Sequence, residues 1–538
     1  MRKSIIAFLL LIVINGEAQT ISRPKLVVGV VVDQMRWDYL YRFHDRYGSG
    51  GFKRLLGEGF SCENTFIPYL PTYTAPGHTC VYTGSVPSLH GIIGNNWYDK
   101  YSKQVVYCTD DSTERSVGGS SVAGEMSPRY VFATTITDEL RLSNNFKSKT
   151  IGIALKDRGA ILPAGHTANA AYWFDDATGG WISSTYYMQA LPQWVLQLNA
   201  KKLPDTYLAE NWKTLYPITT YTQSTADASK YEGAAPGGTT TFEHRTDTLK
   251  NGRYAAFRVT PFGNTYTVDA AKAAIDGEGL GMRGVTDFLA VSFSSTDYIG
   301  HTFGPNSIEV EDTYLRLDKD LTELMNYLDM RVGKGQYLLF LTADHAVAQV
   351  PGFMQENKIP AGIVNSSTLL KVLNDTLQKT FGNGNYIEII INNQVYLAND
   401  FIQQSKKLNR DAIKRVVMQS LLLQQGIDKV VDLENIASAG LPKSMEMSMV
   451  NGYNQKMSGD IQFTYRPQWF EGGLRGTTHG SWNPYDSHIP LLWFGWGVKP
   501  GKTTREVYMT DIAPTVAAML EIQMPNASIG QVIDEVRK

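Results

Sequence analysis

The chain has 538 residues, 43% of them hydrophobic, with 50 Lys and Arg against 52 Asp and Glu. At ~150 residues per domain this length allows two to four structural units, and the near-neutral balance removes any electrostatic case for nucleic acid or an anionic membrane as the main partner. Cys62, Cys80 and Cys108 allow one disulfide at most, so the chain is no disulfide scaffold, and their spacing does not resemble a zinc module.

Arg2 and Lys3 precede an apolar run from Ile5 to Ile14, with Gly16 and Ala18 as small residues for cleavage. This is the layout of a secretory signal peptide over residues 1–18. The run falls short of the roughly 18 residues a membrane span needs. The mature protein is expected to be exported and soluble, without a stable membrane anchor.

The next run, Lys25–Met35, is rich in β-branched residues and reads as a buried strand stopping at Asp33. An amphipathic helix is predicted over Trp37–Leu56, with Gly57 and Gly59 as stops. Pro68–His78 is a turn leading into a helix. Thr74 then sits at a helix N-terminus, where backbone N–H groups favour negative charge. Gly91–Asp99 reads as a loop, with Asn95 and Asn96 in turn chemistry. Thr150–Arg158 is a further strand. If its end stays extended, the two-residue alternation sets Lys156 and Arg158 on one face.

Residues 165–248 have weak periodicity and read as an insertion folded over the sheet. Thr286–Ser295 is another buried strand that runs into Asp297 and His301, and Ser307–Val332 is a long amphipathic helix. Tyr337–Leu341 is a short apolar strand followed by Asp344 and His345. Residues from about 350 to 470 hold two helical stretches and a strand near 387–396, and look like a second inserted subdomain. Thr477–Gly497 is a motif-rich loop and then a strand; Met509–Leu520 is a closing helix. The expected fold class is α/β. A central, mostly parallel sheet carries helices on both faces from residue 24 to 538, with inserted cap subdomains at about 165–280 and 350–470.

In open α/β sheets the carboxyl ends of the strands face the ligand crevice. Strands finishing near Asp33, Lys156 and Arg158, Asp297 and His301, and Asp344 and His345 would meet at one rim, joined by His479 from a later loop. Singly, each has a bland reading: a cap, an exposed helical pair, a loop histidine, and for Thr74 a plain N-cap. Together, three carboxylates and three imidazoles suit two zinc ions. The remaining positive charge would attract a phosphoryl dianion. Paired ions clamp the entering and leaving oxygens of an in-line displacement, and Thr74 would supply the entering oxygen.

The stretches VVDQMRWDY (Val31–Tyr39), PTYTAPGHT (Pro71–Thr79), GNNWYD (Gly94–Asp99), LKDRGAILPAGH (Leu155–His166), STDYIGHTFGPNSIEVEDTYLRLD (Ser295–Asp318), TADH (Thr342–His345) and TTHGSWNPYDSHIPLL (Thr477–Leu492) occur in that order. They closely resemble secreted bacterial alkaline phosphatases of the PafA type, within the alkaline phosphatase superfamily. The resemblance implies one zinc held by Asp297, His301 and His479 and another by Asp33, Asp344 and His345, with the Thr74 hydroxyl also coordinated to metal. Thr74 is implied to become phosphorylated and to be released by a zinc-bound hydroxide, while Asn95, Lys156 and Arg158 bind the phosphate. Ala346 departs from the pattern, since relatives commonly carry Gly there, which puts the local metal geometry in question. Pro76 also varies, with little expected effect. His78, His90, His166 and His488 are given structural roles, His78 as a buttress of a ligand.

The expected activity is zinc-dependent hydrolysis of small phosphate monoesters by a monomer in the periplasm or outside the cell. A point charge from Lys156 and a planar two-pronged donor from Arg158 match a monoester dianion. A diester would prefer an apolar pocket there, so a nucleotide pyrophosphatase or phosphodiesterase is the second reading. Sulfatases need a Cys or Ser in a C/S-x-P-x-R turn, and cofactor-independent phosphomutases usually use Ser in the cytosol. A non-catalytic zinc- or phosphate-binding protein would be favoured by a missing ligand, and none is missing.

Overall fold

The structure, a computed structural model, describes residues 22–119 and 122–537. The signal-peptide expectation for residues 1–18 lies outside the described residues. Four strands make the centre of the molecule: β1 (Leu26–Val32), β2 (Thr150–Ala154), β3 (Asp287–Phe293) and β4 (Tyr337–Thr342). Every residue in them is buried, which is why they read as mostly apolar runs and not as alternating ones.

They lie in one ten-stranded sheet in the order β4, β1, β3, β2, all parallel. Ala170–Phe174 continues the parallel run beyond β2, and Trp181–Ser184 then turns antiparallel. On the other side, Leu491–Gly495 pairs antiparallel with β4. Register aligns the strand ends. Val32 lies opposite Phe293, and Val31 opposite Thr342, so β1, β3 and β4 all end at one level. The residues just past those ends are delivered to a common edge.

Helices cover the sheet, among them α1 (Thr74–Thr83), α2 (Asp157–Ala164), α3 (Ser295–Phe303) and α4 (Ile308–Leu328). The N-terminus of α4 is capped by Ser307, whose hydroxyl accepts the Val310 N–H. The helix expected over Trp37–Leu56 is broken into Tyr39–Arg42, a 3-10 turn at His44–Arg46, and Phe52–Glu58. The cause is a distant carboxylate. Asp318 on α4 accepts from the backbone N–H of Gly48 at 2.7 Å and of Phe52 at 2.8 Å, pinning a glycine-rich turn that local periodicity does not reveal.

Residues 165–280, expected as an insertion, include two strands of the central sheet itself, Ala170–Phe174 and Trp181–Ser184. The density of Trp and Tyr there is strand chemistry. Residues 350–470 include a separate four-stranded sheet with a core of its own, in which Leu373, Leu377, Val395, Ile413 and Phe463 are buried. The strand expected near 387–396 is a hairpin, Ile387–Ile391 against Gln394–Leu397. It turns at Asn392 and Asn393, whose φ of 56° and 58° suit a two-residue turn with both central residues left-handed. Asn96–Asp99, expected as loop, is likewise half of a hairpin with Gln104–Tyr107. Cys62, Cys80 and Cys108 are buried free thiols.

Candidate active site

Asp33 follows β1, and Asp344 and His345 follow β4; all three are fully buried. Asp297 and His301 stand one turn apart on α3, facing the same way, with Asp297 Oδ1 3.1 Å from His301 Nε2. His479 arrives from the Thr477–Gly480 loop, its Nε2 3.8 Å from the same oxygen. The His345 and His479 rings stack at 3.5 Å.

Each of these imidazoles is oriented by main chain. Nδ1 of His301 meets the carbonyl of Thr477 at 2.8 Å, Nδ1 of His345 that of Ala346 at 3.0 Å, and Nδ1 of His479 that of Thr72 at 2.7 Å. A carbonyl only accepts, so each Nδ1 carries a proton and Nε2 is the ring atom left to face the centre. Two sets of possible ligand atoms result, Asp297 with His301 and His479, and Asp33 with Asp297 and His345. Asp344, implied as a ligand beside Asp33 and His345, borders the second set, its Oδ2 3.6 Å from His345 Nε2.

The donor set fits divalent cations on two counts. Imidazole nitrogen and carboxylate oxygen together are a zinc-type mixture. Among the described residues, Asp33 Oδ1 is also buried with no hydrogen-bond partner, and Asp344 Oδ2 is buried with only the approach of His78 Nδ1 at 3.2 Å, an arrangement that is costly unless positive charge compensates it. Lys156 supplies some of that charge. Its ammonium lies 2.7 Å from Asp33 and 2.6 Å from Asp297, itself only 1% exposed. Burial and the neighbouring Asp344 nevertheless hold Asp33 well above the usual carboxylate range. Burial acts on Asp297 in the same sense but is outweighed by His301 and Lys156, so that acid is held well below it. Burial, then His345 and His301, push His479 well below the ordinary histidine value, keeping it a neutral ligand.

Thr74 is the first residue of α1, and its Oγ1 is 3.4 Å from His345 Nε2. The Ala75 N–H donates to Asn95 Oδ1 at 2.9 Å, so the Asn95 amide is turned with its NH2 as the end available to an anion. Arg158 is not on an extended strand end as expected. β2 stops at Ala154, Lys156 caps α2, and Arg158 lies in its first turn, where Nη1 donates to the Tyr107 hydroxyl at 3.0 Å. The segment between strand and helix is too short to show the change of period.

Gln34 carries no signal of its own in the sequence, yet its Nε2 donates to Asp297 Oδ1 at 2.6 Å and its backbone N–H to Asp344 Oδ1 at 3.2 Å. Adjacency to Asp33 is the one hint that points to it. His78 takes the buttressing place expected of it, 3.2 Å from Asp344 Oδ2 and 2.8 Å from Ser292 Oγ. His488 lies elsewhere, stacked between Trp37 and Phe66 with Nε2 on the Glu63 carbonyl. The Ala346 methyl is fully buried, its N–H donating to the Asp486 carbonyl at 2.8 Å, so the extra carbon is accommodated.

α1 is pressed against Asp344 at Gly77, where an added Cβ would come 2.7 Å from the Asp344 Cβ. Gly77→Ala must therefore move either the helix carrying Thr74 or the strand end carrying Asp344. A shift near 1 Å costs about 10²-fold in rate, and that loss in kcat, with the protein still folded by circular dichroism, is the expected result.

The chain matches the sequence profile of the family described as type I phosphodiesterase / nucleotide pyrophosphatase over residues 27–486. It is 54% identical over 526 residues to the alkaline phosphatase PhoV of Synechococcus elongatus, covering 97% of this chain and 94% of that one. A protein of Myroides odoratus named a calcium-transporting ATPase is 52% identical over 525 residues, covering 96% of this chain and 95% of that one. Alkaline phosphatase PafA of Elizabethkingia meningoseptica is 49% identical over 97% of this chain and 96% of its own. A PafA crystal structure superposes with a TM-score of 0.94, covering 96% of this chain and 100% of the other. Among the described residues no helix is long and apolar enough to cross a membrane.

Proposed function

The chain belongs to the type I phosphodiesterase / nucleotide pyrophosphatase family, and from that premise we propose that Thr74 is the nucleophile of an alkaline phosphatase that hydrolyses small phosphate monoesters. The observation that carries the reading is the meeting of a helix-terminal hydroxyl, buried imidazoles and buried carboxylates at one sheet edge, 3.4 Å separating Thr74 Oγ1 from His345 Nε2. The protein is an alkaline phosphatase-type hydrolase by its relatives, PhoV and PafA, at about half identity over nearly the whole chain.

Asp297, His301 and His479 would hold one divalent ion, and Asp33, Asp344 and His345 the other, with Asp297 also within reach of the second and Thr74 beside it. When bound, such ions supply Lewis-acid charge next to the phosphoryl oxygens and lower the pKa of a hydroxyl or water nearby. We assign them as zinc because imidazole and carboxylate donors are mixed. In the first half-reaction Thr74 Oγ forms a bond to phosphorus as the bond to the ester oxygen breaks. In the second, water takes the place of Thr74 and inorganic phosphate leaves. A loose transition state asks chiefly for positioning and charge. The Asn95 NH2, Arg158 and Lys156 are placed to bind the equatorial oxygens, and the α1 N-terminus adds its dipole. Lys156 is then shared between the carboxylates and substrate.

Three donors on the non-bridging oxygens favour a dianion over a diester, which has replaced one such oxygen by carbon-bearing oxygen. Turnover of an aryl phosphate by the purified protein should exceed that of the matching aryl phosphodiester. Arg158→Ala should lower kcat/KM for the monoester by at least about tenfold more than for the diester, the scale of one charge-assisted hydrogen bond. Diester turnover equal to or above the monoester's would assign the protein to the diesterase branch instead. The N-terminal run of residues 1–18 supports export to the periplasm or medium, and we take the working unit to be a monomer.

A further inference from the structure

A cavity of about 180 Å³ shares a wall with the active site. His479 lines it, and Tyr73, the residue before the nucleophile, stands edge-on to His479 at 5.6 Å. Further aromatic residues, Trp469, Phe470 and Tyr485, line it too. The Trp469 ring lies against Gly362 and Gly426, positions where any side chain would overlap it.

The two acidic side chains in the lining are Glu471 and Asp486, and among the described residues the lining contains no Lys or Arg. Asp486 is 1% exposed. One of its oxygens accepts the Ser481 N–H at 2.7 Å, and Oδ1 has no hydrogen-bond partner. Arg36 is near enough to act on Asp486 through space, but its hydrogen bonds go to Asp38 and the Val347 carbonyl.

Aromatic faces attract cations, and quaternary ammonium groups are the ligands such cages recognise. Burial raises Asp486 to about 7, and a cation in the cavity, one that need not donate a hydrogen bond, would favour its ionised form. As a scale, a cavity of ~150 Å³ accepts a guest the size of benzene, which is about the bulk of a trimethylammonium head. The place is compatible, because His479 belongs both to the cavity wall and to one candidate metal group, and a leaving group held by that ion would begin beside it.

We propose that this cavity is a leaving-group subsite for phosphate monoesters of quaternary-ammonium alcohols. The proposal rests on the monoesterase reading of the site. Water is consumed, the bond from phosphorus to the alcohol oxygen breaks, and the amino alcohol leaves as its free hydroxyl form while phosphate is released.

Three substrates separate the possibilities in the metal-loaded full-length enzyme: phosphocholine, its uncharged carbon analogue 3,3-dimethylbutyl phosphate, and methyl phosphate, which is too small to reach the cavity. Phosphocholine should exceed the uncharged analogue in kcat/KM by about tenfold, between the exposed and the fully desolvated values of a cation–π contact. Glu471→Gln and Trp469→Leu should each reduce that ratio several-fold and leave methyl phosphate turnover unchanged, which also shows that the variants fold. Equal rates on the charged and uncharged esters, or a ratio indifferent to both substitutions, overturn the subsite. Failure to hydrolyse methyl phosphate at all overturns the monoesterase reading instead. Choline binding by calorimetry then still decides the cavity: wild-type binding weakened by Trp469→Leu supports it, and no binding rejects it.

Discussion

Thr74→Ala should lower kcat/KM for an aryl phosphate by about 10⁴-fold or more, the range seen when a covalent nucleophile is removed, and should leave bound metal and melting temperature nearly unchanged. The second half of that expectation comes from the surroundings of the residue. Thr74 begins α1 and does not cap it, since the N-cap is Tyr73. Among the described residues, its Oγ1 makes one side-chain hydrogen-bond approach, at 3.4 Å to His345. Alanine is the best residue for a helix interior, so deletion of the hydroxyl and methyl leaves the backbone supported. Thr74→Ser should retain a large part of the rate, because the hydroxyl stays at the same point. A Thr74→Ala protein that keeps more than a few per cent of wild-type turnover at full metal occupancy would show that water attacks phosphorus directly.

Removal of metal should abolish turnover and destabilise the protein together. Without divalent ions, the buried Asp33, Asp297 and Asp344 have Lys156 as their nearby ammonium, and among the described residues Asp33 Oδ1 lacks a hydrogen-bond partner. Any ligand that binds the folded state alone raises stability, by about 4 kcal/mol at a thousandfold excess over Kd. Dialysis against a chelator is therefore expected to reduce activity at least about 10³-fold and to lower the melting temperature by several degrees, with both restored by added zinc. The two readouts fail differently. Restored stability with no activity would indicate ions seated away from Thr74; undiminished activity in metal-free protein would remove the ions from the reaction altogether.

Much of this arrangement is legible in the amino-acid order alone, for a physical reason. A strand buried on both faces is mostly apolar, so the points where β1 and β4 give way to Asp33 and Asp344 stand out sharply. The i,i+4 pair Asp297 and His301 is also visible, since one helical face suffices to define it. What stays hidden depends on partners distant in the chain. The Trp37–Leu56 helix is interrupted by a carboxylate 270 residues from Gly48, and the turn that lifts Arg158 onto α2 is shorter than any periodicity window. Gln34 belongs to the site because its side chain reaches Asp297, 263 residues away. The strands at Ala170–Phe174 and Trp181–Ser184 are obscured because aromatic and glycine-rich stretches also make loops.

The three imidazoles are aimed by carbonyls of Thr72, Ala346 and Thr477, not by other side chains. No point substitution can delete a carbonyl. A library of random variants screened for lost activity should therefore recover the ligands, Thr74, the phosphate-binding side chains and tightly fitted glycines such as Gly77, but no side chain whose task is to aim the three imidazoles. Transplanting this chemistry onto another scaffold would likewise demand copying the path of the peptide chain; copying residue identities alone would leave the rings spinning.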